Sequence, residues 1–136
     1  MRRVLIDTNV YIDWMNTGSH DAAVIGPGLV RHLSAVVLME LEAGARTLPA
    51  RRAVKQLGDT FTRLDRLAAP SVASFRQAGP LLRSLRARGR EVRRAALVND
   101  VLIALTAREL GATVLTNDAS DFGAIQRFLD FSLTVV

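Results

Sequence analysis

The sequence predicts an α/β fold, one domain in which a mainly parallel β-sheet is covered by helices. Short apolar runs alternate along the chain with longer segments of helical periodicity. The first run, residues 4–6, contains no polar residue, as expected of a central parallel strand covered on both faces. No repeat, linker or low-complexity tract interrupts the alternation, so we expect residues 1–136 to form a single domain.

Turn and capping residues divide the chain into successive elements. Besides residues 4–6, the predicted strands are 29–33, a short segment near Leu67, 113–116 and 131–136. The predicted helices are 10–15, 22–25, 36–46, 51–64, 72–88, 97–110 and a short one that ends near Phe128. Ser34 is the expected N-cap of the third helix, which should end before Pro49. Gly79 and Pro80 should kink or split the fifth helix, and Gly111 should end the sixth.

Composition narrows the classes of function. The 136 residues carry a net charge of +5, and Lys55 is the only lysine among 18 basic residues. A basic surface favours a polyanionic partner such as nucleic acid, although an arginine-rich genome explains the same bias equally well. Cysteine is absent, so any metal must be held mainly by oxygen atoms. No apolar segment is long enough for a membrane span or a signal peptide, and we expect a cytoplasmic protein.

For two acids, Asp7 and Glu40, the sequence allows either an ordinary structural role or a functional one. Asp7 directly follows the first predicted strand, where it either caps the next helix or belongs to a site. Glu40 lies on the apolar side of its predicted helix, where a carboxylate needs a compensating charge or a metal. Glu42 lies on another face of the same helix, and an exposed ion pair with Arg46 explains it.

Asp100 and two further aspartates complete the acidic pattern. Asp100 falls on the apolar stripe of helix 97–110, and the helix dipole alone does not explain why an acid faces the core. Asp118 and Asp121 follow the fourth predicted strand, where either one also suits a helix N-terminus. Ligands bind beyond the carboxyl ends of parallel strands, so this segment should lie near Asp7. Sequence alone does not separate the two aspartates, and we prefer Asp118.

Carboxylates gathered at one sheet edge repel one another unless a cation neutralises them. Mg²⁺ and Mn²⁺ prefer such oxygen ligands, and they activate water and hold phosphate oxygens during phosphodiester hydrolysis. An aspartyl-phosphate phosphatase with Asp7 as nucleophile is disfavoured, because Asn9 stands where its second aspartate is needed. Lys55 lies in a polar helix, so the lysine of such a site, or of a receiver-like module, is also missing.

Four short blocks in this order resemble the PIN-domain ribonucleases, in particular the VapC-type toxins of toxin–antitoxin pairs. The blocks are residues 4–9, 34–44, 99–104 and 115–122, and the resemblance extends over essentially the whole chain. It implies a single PIN-like domain with a mainly parallel five-stranded sheet flanked by helices. It also implies that Asp7, Glu40, Asp100 and Asp118 are catalytic acids that bind Mg²⁺ or Mn²⁺, with Asp121 as the alternative fourth acid.

The resemblance also implies a substrate and partners. Thr8, Asn9 and Thr116 match polar positions that support the metal and the phosphate. Proteins of this type cleave structured RNA such as tRNA or rRNA, form homodimers and are blocked by a small VapB-type antitoxin. Several arginines are candidates for steering RNA, although each alone is also ordinary on a solvated face: Arg83, Arg86, Arg88, Arg90, Arg93 and Arg94. The alternative is a non-catalytic RNA-binding or interaction module of the same fold.

Overall fold

The structure is a computed structural model that describes residues 1–92 and 94–136. Within those residues, five strands form one sheet in the order β3-β2-β1-β4-β5, and every pairing is parallel. The strands are β1 (Arg2–Ile6), β2 (Leu29–Ser34), β3 (Leu67–Ala68), β4 (Thr113–Thr116) and β5 (Ser132–Val135). The predicted α/β class with a mainly parallel sheet is therefore confirmed.

Seven helices within the described residues connect and flank the strands. They are α1 (Thr8–Thr17), α2 (Asp21–Val24), α3 (Ala35–Gly44), α4 (Leu48–Arg63), α5 (Val72–Ala87), α6 (Ala95–Leu110) and α7 (Ser120–Ile125). Ser34 caps α3 as predicted, since its hydroxyl accepts hydrogen bonds from the backbone of Val36 and Val37 at 3.1 and 3.3 Å. None of the helices in this part of the chain is both long and apolar enough to cross a bilayer.

The central strand β1 ends immediately before Asp7 and so places this acid at the carboxyl end of the middle strand of the sheet. Val4, Leu5 and Ile6 are completely buried, because β2 and β4 pair with the strand on both sides and helices cover its faces. Just beyond the strand, the Asp7 backbone N–H donates to the Leu115 carbonyl oxygen at 2.8 Å. The carboxyl ends of β1 and β4 are thereby held side by side at one edge of the sheet.

Two predicted details at helix ends are wrong, and a third prediction, for Pro80, is narrowed. Helix α3 ends at Gly44, so the Glu42–Arg46 ion pair, which needs a continuous helix, is not among the ion pairs of the described residues. Helix α4 begins at Leu48 rather than residue 51, because Pro49 suits a first helical turn, where its missing N–H is not needed. Pro80 lies inside a continuous α5, so of the two predicted effects, a kink or a split, the split does not occur.

Candidate active site

Asp7 both caps α1 and faces a cavity, so its capping role does not exclude a functional one. One carboxylate oxygen accepts a hydrogen bond from the Thr8 backbone N–H at 2.8 Å, and the other accepts one from the Thr116 hydroxyl at 2.9 Å. Both bonds stabilise the charged form. Burial nevertheless raises the pKa of Asp7, and the neighbouring charges of Glu40 and Asp118 add to this effect.

Glu40 approaches the same place from helix α3. Its Oε1 accepts a hydrogen bond from the Thr8 hydroxyl at 2.8 Å, which fixes the direction of a half-buried side chain. Glu42, two residues further along the same helix, is exposed and does not line the cavity. The two glutamates therefore lie on different faces of α3, as their helical spacing predicts.

Asp100 is the acid with the strongest electrostatic perturbation. It lies in the second turn of α6, half-buried, and no hydrogen bond to its carboxylate is present within residues 1–92 and 94–136. Burial, followed by the charges of Asp7, Asp121 and Glu40, raises the pKa of Asp100 to about 8, although Arg94 opposes the shift. Burial and the surrounding acids therefore disfavour the ionised form of Asp100.

The predicted acids share one cavity of about 200 Å³ at the carboxyl ends of β1 and β4. Its lining residues are Asp7, Thr8, Asn9, Glu40, Arg94, Ala96, Asp100, Asp118 and Asp121. The structure thus brings together all five candidate acids with Thr8 and Asn9. Thr116 lies behind Asp7, where it is fully buried and donates to the carboxylate rather than facing the cavity.

The two aspartates that the sequence leaves undecided have different partners. Asp118 is exposed, and one of its oxygens accepts a hydrogen bond from the Ser120 backbone N–H at 3.0 Å. Asp121 accepts hydrogen bonds from Arg94 Nη2 at 2.9 and 2.8 Å, on its two oxygens, and from Arg90 Nη1 at 3.2 Å. The Asp121 charge is therefore neutralised by two guanidinium groups, whereas Asp118 has no cationic partner among the described ion pairs.

Sequence reasoning did not find these arginine contacts. It offered Arg90 and Arg94 only as candidates for steering RNA. The one sequence signal for another role is that Arg94 immediately precedes the helix that carries Asp100. Arg83, Arg86 and Arg88 are exposed near the end of α5, as expected for a solvated face. Arg93 lies outside the described residues.

A second missed contact holds the loop that carries Asp118. The Asn117 side-chain amide donates to Asp13 Oδ2 at 2.6 Å, and His20 Nε2 lies 3.4 Å from the same oxygen. Asp13 belongs to α1, so this contact ties the segment after β4 to the helix that Asp7 caps. Its sequence signal is weak, because nothing in the spacing of Asp13 and Asn117 indicates proximity.

The cavity suits a divalent cation by the chemistry of its donors rather than by a preformed cage. No group of three or more His, Cys, Asp or Glu side chains in the described part of the chain is arranged to hold a metal. Asp7, Glu40 and Asp121 each already accept hydrogen bonds from protein donors. Mg²⁺ commonly binds through only one or two carboxylates and keeps several waters, so an oxygen-only site with an unpartnered Asp100 fits such an ion.

An apolar groove of about 420 Å³ borders the acidic cavity and shares Glu40 with it. Helices α1, α3 and α4 form this groove, and its apolar lining includes Ile12, Met15, Leu41 and Val54. Ile12 is 40% exposed although it is a large apolar residue. The acids thus lie at one end of an apolar surface.

Comparison with known proteins gives a family and several structural relatives. The family model described as PIN domain matches residues 4–127. No curated protein matches the sequence. Among solved structures, the chain is similar to one from VapBC2 of Rickettsia felis bound to a promoter DNA fragment, with 22% identity, a TM-score of 0.71 and coverage of 98% of both chains.

Two further structures give the same result. VapBC-1 from nontypeable Haemophilus influenzae has 21% identity, a TM-score of 0.69 and coverage of 98% of this chain and 97% of that one. VapBC-5 from Mycobacterium tuberculosis, a member of the VapBC family of toxin–antitoxin systems, has 26% identity, a TM-score of 0.63 and coverage of 100% and 98%. These similarities extend over the full length and concern the fold.

Proposed function

Since this chain belongs to the PIN-domain family, we propose that it is a Mg²⁺- or Mn²⁺-dependent endoribonuclease. The observation that carries the proposal is the gathering of five carboxylates around one cavity at the carboxyl ends of β1 and β4, four of which form no ion pair among the described residues. Such a concentration of negative charge is unfavourable unless a cation neutralises it. We also propose that residues 1–136 constitute one PIN domain, and that the protein is the toxin of a toxin–antitoxin pair.

Four acids would hold the cation in this proposal: Asp7, Glu40, Asp100 and Asp118. When bound, a divalent cation lowers the pKa of water and neutralises charge on phosphate oxygens during hydrolysis. Asp121 is the least suited of the five acids to bind it, because Arg90 and Arg94 already neutralise its charge. It remains a candidate catalytic residue through its place at the cavity wall.

The polar residues around the acids have two different roles in the proposal. The hydroxyls of Thr8 and Thr116 donate to Glu40 and Asp7 and so orient these carboxylates. Asn9 is exposed and lines the cavity, where its amide is available to a phosphate oxygen. The net charge of +5 supports a polyanionic substrate, for which we propose structured RNA such as tRNA or rRNA.

Metal dependence is the first test of the proposed activity. We expect the purified protein to cleave total RNA in Mg²⁺ or Mn²⁺, to lose this activity in EDTA, and to regain it when excess metal is restored. Gel electrophoresis of end-labelled RNA measures the cleavage. Activity that persists in EDTA excludes the metal mechanism, and RNA binding without cleavage in either metal favours a non-catalytic module instead.

The proposed partners are a VapB-type antitoxin and a second copy of the chain. The similar VapBC structures support the antitoxin, and the apolar groove beside Glu40 offers a surface for its apolar residues. We expect the antitoxin encoded beside this gene to co-purify with the protein and to inhibit RNA cleavage. Light scattering of the free protein should give the mass of a homodimer, and a monomer at all concentrations would contradict that proposal.

A further inference from the structure

A further cavity, of about 410 Å³, is lined by arginines instead of acids. It lies between the end of α5, helix α7 and the residues that follow α7, and we call it the arginine cleft. Its lining residues are Leu85, Arg88, Arg90, Ser120, Gly123, Ala124, Arg127 and Phe128. These include three arginines and no acid, and the volume is in the range of small-ligand sites.

Two of the three arginines have no anionic partner. Arg88 and Arg127 are exposed, and within residues 1–92 and 94–136 neither guanidinium makes an ion pair or a side-chain hydrogen bond. Like charges that line one concave surface attract an anion, and the planar guanidinium group suits phosphate because it can donate two parallel hydrogen bonds. The cleft is therefore chemically suited to a phosphate group.

Arg90 contacts one residue of the arginine cleft and one residue of the acidic cavity. Arg90 Nη1 lies 3.4 Å from the Ser120 hydroxyl, which lines the cleft, and 3.2 Å from Asp121 Oδ1, which lines the acidic cavity. Ser120 and Asp121 are consecutive in α7, so adjacent residues of one helix turn line the two cavities.

An aromatic ring and open space complete the cleft. The Phe128 side chain is 37% exposed although large apolar residues are usually buried, and exposed aromatic rings stack on unpaired bases. At Gly123, which lines the cleft, no atom beyond the neighbouring residues and the local helix backbone lies within 4 Å of the position that a Cβ would occupy. A side chain at this position therefore has space to enter, and Gly123 leaves that space open.

We propose that the arginine cleft binds an unpaired nucleotide that flanks the RNA bond to be cleaved. Arg88 and Arg127 hold its phosphate, and its base stacks on Phe128. The inference rests on the proposed ribonuclease function and adds a substrate site outside the acidic cavity. It predicts that the protein prefers RNA that is single-stranded next to the cleavage site, because a base in a duplex cannot reach the ring.

The test measures binding without cleavage. Fluorescence anisotropy gives the Kd of a short labelled oligouridylate in EDTA, at several salt concentrations, for the full chain and its variants. Combined Arg88→Ala and Arg127→Ala changes should raise the Kd roughly 10- to 100-fold, as expected when charge-assisted hydrogen bonds to phosphate are removed. The slope of log K against log salt should become shallower by about 0.7 for each phosphate that is no longer neutralised.

A matched control removes the same charge elsewhere. Arg52 on α4 and Arg76 on α5 are exposed, make no ion pair among the described residues and do not line the cleft. The double Arg52→Ala and Arg76→Ala variant therefore tests net charge alone, and we expect a much smaller rise in Kd. An equal rise in both double variants overturns the proposal.

Two further variants test shape and stacking with all arginines retained. Gly123→Leu adds a bulky side chain to the lining of the cleft, and leucine also favours the helix, so binding should weaken while the thermal midpoint is unchanged or higher. Phe128→Leu should raise the Kd about tenfold, because leucine cannot stack on a base. Wild-type affinity in Gly123→Leu overturns the proposal.

The outcomes separate this inference from the proposed function. Because the binding measurements contain EDTA, they are independent of the metal-dependent cleavage. If RNA is cleaved in Mg²⁺ but the cleft variants bind like the control, the nuclease stands and the cleft is not its substrate site. If binding depends on the cleft but no metal supports cleavage, the ribonuclease proposal fails and the cleft does not flank a cleaved bond.

Discussion

Replacing Asp7 by asparagine should lower the rate of metal-dependent RNA cleavage roughly 100- to 1,000-fold while the protein remains folded. Asp7 interacts electrostatically with three of the other four acids. The charges of Glu40 and Asp118 raise its pKa, and its own charge raises the pKa of Asp100. Asparagine removes this charge without changing the volume of the side chain. Both the affinity for the cation and the rate at saturating metal should therefore fall.

The fold should tolerate this change because asparagine can satisfy the same neighbours. Its Oδ1 can accept the Thr8 backbone N–H as the aspartate does, which preserves the cap of α1. Its amide can donate to the Thr116 hydroxyl, which then donates to the Asp118 carbonyl oxygen 3.1 Å away. No buried polar group loses a partner, and the free energy of unfolding should change by less than about 1 kcal/mol.

Three measurements make the Asp7→Asn result interpretable. Single-turnover cleavage at saturating Mn²⁺ gives the rate, calorimetry gives the metal affinity, and urea denaturation gives the stability. Glu42→Gln is the matched control, because it removes one carboxylate charge from an exposed position outside the cavity. We expect it to behave as wild type. An Asp7→Asn protein that cleaves RNA at the wild-type rate would exclude Asp7 as a metal ligand.

The parts of this site that were predictable depend on local periodicity. Asp7 follows an uninterrupted apolar run, and strand polarity then fixes the sheet edge at which it lies. Helix-face spacing separated Glu40 from Glu42 and placed Asp100 on an apolar stripe, and such spacing counts residues within one element and needs no tertiary information. The same spacing misjudged the partner of Glu42, because Arg46 lies beyond the end of α3.

The arginine contacts of Asp121 could not be predicted in this way. They join the residues between α5 and α6 to the first turn of α7, and the partners are 27 and 31 positions apart in the chain. Such contacts depend on the tertiary arrangement of the loops, which the periodicity of a single element does not indicate. They also change the interpretation of the acids, because a carboxylate bound by two guanidinium groups contributes little uncompensated charge. Asp118 is therefore preferred as the fourth ligand because Arg90 and Arg94 already bind Asp121.

Without metal, the free energy of unfolding should fall as the pH rises through the interval between the unfolded and folded pKa values of Asp100. The folded pKa is about 8 and the unfolded value is 3.8. Between them, the folded protein holds a proton that the unfolded chain releases, so stability decreases with rising pH and levels off above the folded value. Asp7 acts in the same direction, since burial also raises its pKa. We expect a total loss on the order of 2–3 kcal/mol, less than the full shift would give, because Asp100 is only half-buried.

Urea denaturation at a series of pH values tests this expectation, with Asp100→Asn as the matched variant. The amide cannot ionise, so the variant should lose much less stability between about pH 5 and pH 8 and should be the more stable protein at the upper end. Adding Mg²⁺ should stabilise the wild type more at high pH than at low pH, because the cation binds ionised acids and binding to the folded state adds to its stability. A wild-type stability that is flat with pH, together with no stabilisation by Mg²⁺, would show that the charges in the cavity are already compensated. The gathered carboxylates would then give no reason to expect a metal.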